Sequence, residues 1–136
     1  MSTARRGRGD RGSVSLLVVI MAPALLMAAG LVLDGGRQLQ ARRDASGAAA
    51  AAARAGVELS EPELYGGHLD PHLAVGRAAA ELGVQGATGS VAIAGEVVTV
   101  TVSADVDYLI LPGSRTVSST SSATAQRGVN AAGDVP

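Results

Sequence analysis

The chain of 136 residues has a formal net charge of −1 at pH 7, so its overall charge gives no reason to expect nucleic-acid binding. It contains no cysteine, which excludes disulfides, thiolate metal ligands and a cysteine nucleophile within this sequence. With no Phe or Trp and only two Tyr, its core must be built from Val, Leu, Ile and Ala, from which an enclosed catalytic pocket is difficult to form.

A long uncharged segment follows the basic N-terminal residues. Residues 13–33 are 21 consecutive positions without a charged side chain, and most of them are Val, Leu, Ile, Met or Ala. As a helix with a rise of about 1.5 Å per residue, the segment would be roughly 32 Å long, close to the ~30 Å hydrocarbon core of a bilayer. Because a charge at mid-bilayer is costly, Asp34 marks the expected outer interface. We therefore predict a transmembrane helix over residues 13–33.

The charges before this segment predict its orientation. Residues 1–12 carry one acidic residue, Asp10, against four arginines. These are Arg5, Arg6, Arg8 and Arg11. By the positive-inside rule they place the N-terminus in the cytoplasm and the chain beyond the span outside the cytoplasmic membrane. The same arginines would suit RNA or anionic lipid, but their position beside the span makes orientation the simpler explanation.

Two other interpretations of the apolar segment compete with a permanent anchor. A cleaved secretory signal also joins basic residues to an apolar run, but this run is longer than usual and Ala22-Pro23-Ala24 lies in its middle rather than after it. A buried helix of a soluble protein would need more large side chains around it than the downstream residues offer. We therefore favour the anchor.

Within the span, one face is suited to close helix packing. Pro23 removes a helix hydrogen bond and favours a kink. Ala24 and Ala28 form a small-xxx-small pair, with Gly30 nearby, which would allow another helix to approach closely. We expect Pro23, Ala24, Ala28 and Gly30 to be packing positions and Asp34 to set the depth of the helix.

Beyond the span, the sequence predicts two helices. Residues 34–56 are rich in alanine, the strongest helix former, so we expect the first helix to continue outward and to pack partly on a sheet, with Gly35–Gly36 as a joint at the membrane surface. Residues 57–69 contain a proline and a glycine pair and are expected to be mostly loop. Asp70-Pro71 is a helix-start signal and predicts a short helix over residues 71–82.

The remaining residues predict a small antiparallel sheet. Residues 97–107 alternate Val or Ala with Thr, Ser or Asp, the period of a half-buried strand. A shorter strand around Val91 and Ile93 precedes it, joined by a Gly95-Glu96 turn of type II′. The Thr- and Ser-rich run after Pro112-Gly113 suits either a third strand or a polar disordered stretch, and we favour a strand that pairs with residues 97–107.

Together these elements predict an α+β fold. It consists of a single N-terminal transmembrane helix that continues into an extracytoplasmic alanine-rich helix, then a short helix and a small antiparallel meander. The helices cover the apolar face of the sheet. The expected boundaries are 57–128 for the small α/β-meander domain and 129–136 for a flexible tail.

The order of these features resembles one protein family. The stretch RGSVSLLVVIMAPALLMAAGLVLDGGRQLQARRDASGAAAAAARAG is similar to the N-terminal region of TadE/TadG-like proteins of the tight-adherence (Flp) pilus system. The shared elements are Arg11-Gly12, Pro23 within the apolar run, and Gly30, Asp34, Gly36 and Arg37 in a Gly-x-x-x-Asp-x-Gly-Arg arrangement. The later VTVTVSADVDYLILPG resembles the meander of short actinobacterial members.

The resemblance implies a pilin-like, single-pass membrane protein of a pilus-assembly or related secretion apparatus, with other TadE-like proteins as partners. Prepilins and TadE-like pseudopilins are cut after a glycine and carry glutamate at the fifth mature position. If Gly12–Ser13 were the processing site, that position would be Leu17, and residues 13–33 contain no acidic residue. This departure favours the TadG-like branch, whose members keep the helix as an anchor.

Few side chains suggest catalytic or metal chemistry. His68, Asp70 and His72 are the only cluster with metal-capable groups, but His68 and His72 lie on either side of a helix start and need not share a face. Asp105 and Asp107 share a strand face without a histidine or cysteine nearby and are interpreted as a solvated surface. We predict no enzymatic activity, no cofactor, no metal and no small-molecule substrate.

Two hypotheses from different classes follow. The first is a non-enzymatic, pseudopilin-like membrane protein that supports assembly of a Flp-type pilus or a related secretion structure. The second is a membrane-tethered or secreted binding module that uses the Ser/Thr-rich strand as an exposed edge, where a partner could add a strand.

Overall fold

The computed structural model describes residues 10–110 and 112–126 and has an α+β fold, as predicted. Three helices precede three strands along the chain. The helices are α1 (Asp10–Gly56), α2 (Glu61–Gly66) and α3 (Pro71–Val84). The strands are β1 (Thr88–Ala94), β2 (Val97–Asp107) and β3 (Ser114–Thr124).

Helix α1 is continuous over 47 residues and includes Pro23. The prediction of a joint at Gly35–Gly36 is wrong, because both glycines lie inside the unbroken helix. Hydrogen bonds on either side and good helix formers after them outweigh the intrinsic cost of glycine, about 1 kcal/mol each. The first part of α1 exposes its large apolar side chains, and the helix is long and apolar enough to cross a membrane.

The alanine-rich part of α1 packs on the sheet, as expected. Ala49 and Ala52 are fully buried, and Ala45 and Ala53 are nearly so. They belong to one cluster with three fully or almost fully buried β2 residues. These are Val98, Val100 and Val102. Alanine on the helix lets the helix backbone lie close to the sheet, so a core without Phe or Trp is still filled by small side chains.

The sheet is an antiparallel meander in the order β1-β2-β3. Strand β2 has the predicted bounds. Strand β1, expected around Val91 and Ile93, is seven residues long. The Thr- and Ser-rich run is a strand, since β3 pairs with β2 along 11 residues. Gly95 has φ 61°, the positive value that the first position of a type II′ turn requires.

The segment 57–69 contains a short helix that the loop prediction missed. Helix α2 begins after Ser60, whose backbone N–H donates to the Glu63 carboxylate at 2.7 Å. This bond belongs to a capping box formed by Ser60 and Glu63, and Pro62 is compatible with the first helical turn. Helix α3 starts as predicted, because the Asp70 carboxylate accepts from His72 N at 2.8 Å, and it ends two residues later than expected.

The tight approach of α1 to the sheet makes the size of its alanines critical. We expect Ala49→Leu to lower the free energy of unfolding by about 1–3 kcal/mol, because the larger side chain overfills a closed site. Gly47→Ala is the control: its added Cβ meets nothing within 4 Å, and alanine is the better helix former. Thermal unfolding of the full chain in detergent, followed by circular dichroism, compares the two. Equal stability of Ala49→Leu and the parent would contradict this packing.

Candidate functional site

The carboxylate of Asp34 lies buried between α1 and the connection from β2 to β3. Only 2% of Asp34 is exposed. One of its oxygens accepts from Leu109 N at 2.8 Å, and the other accepts from Ile110 N at 3.3 Å. Hydrogen bonds between an ionised carboxylate and backbone N–H groups are about twice as strong as neutral ones. Asp34 therefore ties the helix to residues 75 and 76 positions later in the chain.

Gly30 lies one helical turn before Asp34 and makes the close approach possible. A Cβ built on Gly30 would lie 2.6 Å from Ile110 Cγ2 and 3.0 Å from Ile110 Cβ, distances that real Cβ atoms do not tolerate without movement. Positions four apart share one helix face. We call the set Gly30, Asp34, Leu109 and Ile110 the helix–loop contact.

The connection between β2 and β3 spans residues 108–113; its described residues, 108–110 and 112–113, are called the β2–β3 loop, and Leu109 and Ile110 are its apolar tip. Tyr108 N donates to Gly113 O at 3.1 Å across the base of the loop. Gly113 has φ 119°, a conformation that other residues rarely adopt. Leu109 and Ile110 leave 67% and 53% of their surface exposed. A backbone hydrogen bond thus closes the base of the loop, while the Leu109 and Ile110 side chains stay more than half exposed.

The register of the sheet on α1 brings this loop to Asp34. Strand β2 starts beside the end of α1, where Val98 Cγ1 would lie 2.9 Å from a Cβ on Gly56. From Gly56 back to Asp34 the helix covers roughly 33 Å, and from Val98 to Leu109 a strand covers about 36 Å. Because the two lengths agree, a strand antiparallel to α1 delivers its end to Asp34.

A second buried polar cluster lies at the opposite end of the packed half of α1. Glu63, 5% exposed, accepts from Ser60 N at 2.7 Å, Asp70 N at 2.9 Å and Arg77 Nη1 at 2.9 Å. Arg77 Nη2 also donates to Gly56 O, the last residue of α1, at 3.2 Å. The Arg77 guanidinium, followed by the donors from Ser60 and Asp70, holds the pKa of Glu63 far below its ordinary range despite burial. This cluster joins α1, α2 and α3.

The structure brings together only two of the sequence-predicted site residues. Gly30 and Asp34 form the helix–loop contact, whereas Pro23, Ala24 and Ala28 lie exposed on α1. Gly12 and Ser13 lie exposed in the first turns of α1. Of the four arginines expected to set the orientation of the span, Arg5, Arg6 and Arg8 lie outside the described residues, as does the side chain of Arg11.

Sequence reasoning missed the other half of the contact, the β2–β3 loop. A signal was present, because Leu109, Ile110 and Leu111 are three successive large apolar residues in a strand connection. Such connections are usually polar. An apolar connection indicates that the loop meets another apolar surface.

The histidines and the strand carboxylates take no part in the helix–loop contact. His68 Nδ1 is 2.9 Å from Gly66 O, and Asp70 caps α3. Asp105 accepts from the Thr116 hydroxyl across the β2–β3 pair. Across residues 10–110 and 112–126, no group of three His, Asp or Glu side chains converges as metal ligands would.

An open groove of about 940 Å³ lies between α1, the connection from α3 to β1, and the second half of β2. Its walls are mostly small residues, and its charged lining residues include Arg43, Asp44 and Asp105. The groove is shallow and mixed in polarity, so it offers neither an enclosed apolar pocket nor a set of convergent catalytic groups.

Comparison with known protein families gives a match that covers the helix side of the site. Residues 12–60 match the model of a family described as putative Flp pilus-assembly TadE/G-like. The match includes Gly30 and Asp34 and ends at Ser60, the residue before α2, so the sheet and the β2–β3 loop lie outside it. No curated protein and no solved structure matches the chain.

The helix–loop contact makes a testable prediction about Gly30. We expect Gly30→Ala to destabilise the protein, since its Cβ would force Ile110 away from α1. Gly35→Ala is the matched control, because the added Cβ meets nothing within 4 Å. The substitution should also stabilise the helix by about 1 kcal/mol through its higher helix propensity. Hydrogen exchange of the Leu109 and Ile110 amides in detergent should accelerate in Gly30→Ala alone. Unchanged exchange in that variant would contradict the close approach.

The Glu63 cluster predicts a pH dependence of stability. Because folding lowers the pKa of Glu63 from its ordinary value of 4.5, its stabilisation is fully present above pH 4.5 and is lost as the pH falls further. We expect Glu63→Gln to lower the free energy of unfolding by about 2–4 kcal/mol at neutral pH, and less at lower pH.

Urea unfolding of the full chain from neutral to acidic pH measures both effects. The control Glu61→Gln, on an exposed position of the same helix, should change stability by less than about 0.5 kcal/mol. A difference between Glu63→Gln and the parent that stays constant as the pH falls would contradict the assigned role of the Glu63 carboxylate.

Proposed function

We propose that this chain is a non-enzymatic, membrane-anchored, pseudopilin-like component that supports assembly of a Flp/Tad-type pilus or a related secretion structure. The TadE/G-like match over residues 12–60 suggests a role in Flp/Tad pilus assembly. The observation that carries the proposal is that the matched residues form nearly all of α1. This one helix combines an exposed apolar segment of bilayer length with a segment fixed to a sheet.

The proposed location is the cytoplasmic membrane, with a single crossing at residues 13–33. Exposure of the large apolar side chains of this segment supports lipid contact, since water would be an unfavourable surrounding for them. The arginines before the span support a cytoplasmic N-terminus by the positive-inside rule. Residues 34–126 would then form the extracytoplasmic part.

Assembly would use the two halves of α1 differently. In the membrane, Ala24 and Ala28 lie exposed beside Pro23, so a helix of another pilus-assembly protein can approach this small-residue face. Outside, the β2–β3 loop is held to α1 at Asp34, and α3 is held to the end of α1 through Arg77 and Gly56 O. A rigid connection of this kind passes a helix movement in the membrane directly to the outer domain.

Processing by a prepilin-type peptidase is not part of the proposal. The position that carries glutamate in TadE-like pseudopilins would be Leu17 here if Gly12–Ser13 were cut. The TadG-like arrangement, in which the helix remains as an anchor, is therefore the form we propose. Its partners would be the membrane and other TadE-like or pilus-assembly proteins.

One observation favours a second candidate, the binding module. Strand β3 is at an edge of the sheet, and among the described residues it pairs with β2 alone. Its 11 residues, nearly all small and polar, would accept an added strand from a partner. An interaction that survives removal of the membrane segment would distinguish this function from assembly through the helix.

The proposed function is tested by cell fractionation, N-terminal sequencing and gene deletion. We expect a membrane-bound chain that resists alkaline carbonate extraction and retains the residues before Gly12, and a loss of surface pili on deletion. Pili should return with the parent chain or with Asp44→Asn, an exposed substitution on α1. They should return poorly with Asp34→Asn, because the amide offers only one oxygen to two backbone donors.

The alternatives to this function predict different outcomes of the same experiments. A mature chain that begins at Ser13 would show that a prepilin-type peptidase cuts the protein. It would favour the hypothesis that the processed chain is a filament subunit. A soluble product that begins beyond the middle of the apolar segment would favour the secreted module. Unchanged pili and secretion after deletion would overturn the assembly function.

A further inference from the structure

We propose that the β2–β3 loop is a second membrane contact, in which Leu109 and Ile110 insert at the boundary between lipid headgroups and acyl chains beside α1. This inference rests on the proposed membrane span of residues 13–33. It adds a lipid-binding surface in the extracytoplasmic domain, which the family match over residues 12–60 does not include.

The position of the loop along α1 sets its depth. Ile110 packs on Gly30, and Gly30 lies within the uncharged segment 13–33. Asp34 follows Gly30 by four positions on the helix, so Ile110 reaches about 6 Å below the level of Asp34. If Asp34 marks the outer interface, Ile110 lies at the level where the acyl chains begin.

The exposed surface of the loop is apolar, as is the exposed surface of the span beside it. Leu109 and Ile110 are 67% and 53% exposed, and on the helix at the same level Leu31, Val32 and Leu33 are 54% exposed or more. No charged residue occurs between Asp107 and Arg115. Tyr108, at the base of the loop, is a residue type enriched at membrane interfaces.

Three backbone N–H groups of the loop are paired within the protein, which lowers the cost of contact with lipid. The N–H groups of Leu109 and Ile110 donate to Asp34, and Tyr108 N donates to Gly113 O. An unpaired N–H would cost several kcal/mol in hydrocarbon. Irregular backbone does not occur in the hydrocarbon core exposed to lipid, so the loop belongs at the boundary rather than deeper.

Charged residues border the loop on the side of the sheet. Asp107 and Arg115 are exposed at the strand ends, and Arg37 is exposed about one turn beyond Asp34 on α1. At these positions the two arginines would lie at headgroup level, where phosphates accept hydrogen bonds from guanidinium groups. The apolar tip and its charged border match the layered polarity of a bilayer surface, which argues for lipid rather than a second protein as the occupant.

The chain contains no tryptophan, so single-tryptophan variants measure depth directly. The probe is the full chain with Leu109→Trp, reconstituted in phosphatidylcholine–phosphatidylglycerol vesicles that contain lipids brominated at defined depths. Leu25→Trp, 63% exposed in the middle of the span, is the deep control. Tyr65→Trp, 92% exposed on α2, is the aqueous control.

We expect Leu109→Trp to emit at shorter wavelength than Tyr65→Trp and to lose at least about half of its emission with bromine near the headgroup end of the acyl chain. Bromine near the methyl end should quench Leu25→Trp more strongly than Leu109→Trp. Because tryptophan is larger than leucine and can disturb the loop, Leu109→Cys and Tyr65→Cys carrying an environment-sensitive fluorophore repeat the comparison. The chain has no other cysteine.

Three results would overturn the inference. Quenching of Leu109→Trp by aqueous acrylamide to the same extent as Tyr65→Trp would place the loop in water. Protection from both quenchers that disappears on dilution of protein in lipid would identify a second copy of the chain as the occupant. Absence of bromine quenching at Leu25→Trp would remove the membrane span and the inference together, whereas failure at Leu109→Trp alone leaves the proposed pilus function standing.

Discussion

The hydrogen bonds from Leu109 N and Ile110 N to Asp34 join α1, at the end of its apolar segment, to the β2–β3 loop. A buried carboxylate is unfavourable unless donors surround it, and backbone N–H groups in an apolar loop are unfavourable unless they have an acceptor. Here the Asp34 carboxylate is the acceptor for both N–H groups, and they are donors to it. The contact also depends on Gly30, because any side chain there would hold Ile110 away from the helix.

A second attachment lies at the other end of the packed half of α1. Arg77 bridges Gly56 O and the Glu63 carboxylate, so the end of α1, α2 and α3 share one polar cluster. Between the two attachments, buried alanines of α1 lie against the valines of β2. The β2–β3 loop and α3 therefore hold the two ends of the packed half of α1, and the sheet contacts it between them.

Several elements were predictable because their causes are local. The alternation over residues 97–107 gave the bounds of β2, and Asp70-Pro71 gave the start of α3. Helix α2 was missed although Ser60 and Glu63 have capping-box spacing, since six residues are too few to form a helix without tertiary support. That support is Arg77, 14 residues beyond Glu63.

The sequence by itself determined the long apolar helix, the alanine-rich continuation and the strand pattern, because composition and periodicity act within a few residues of each other. It also singled out Gly30 and Asp34, although as packing and depth positions rather than as partners of a loop. Only the tertiary structure decided that partner, because the contact joins residues 75 positions apart. The matching lengths of β2 and the second half of α1 bring them together, and no local pattern in the chain encodes that match.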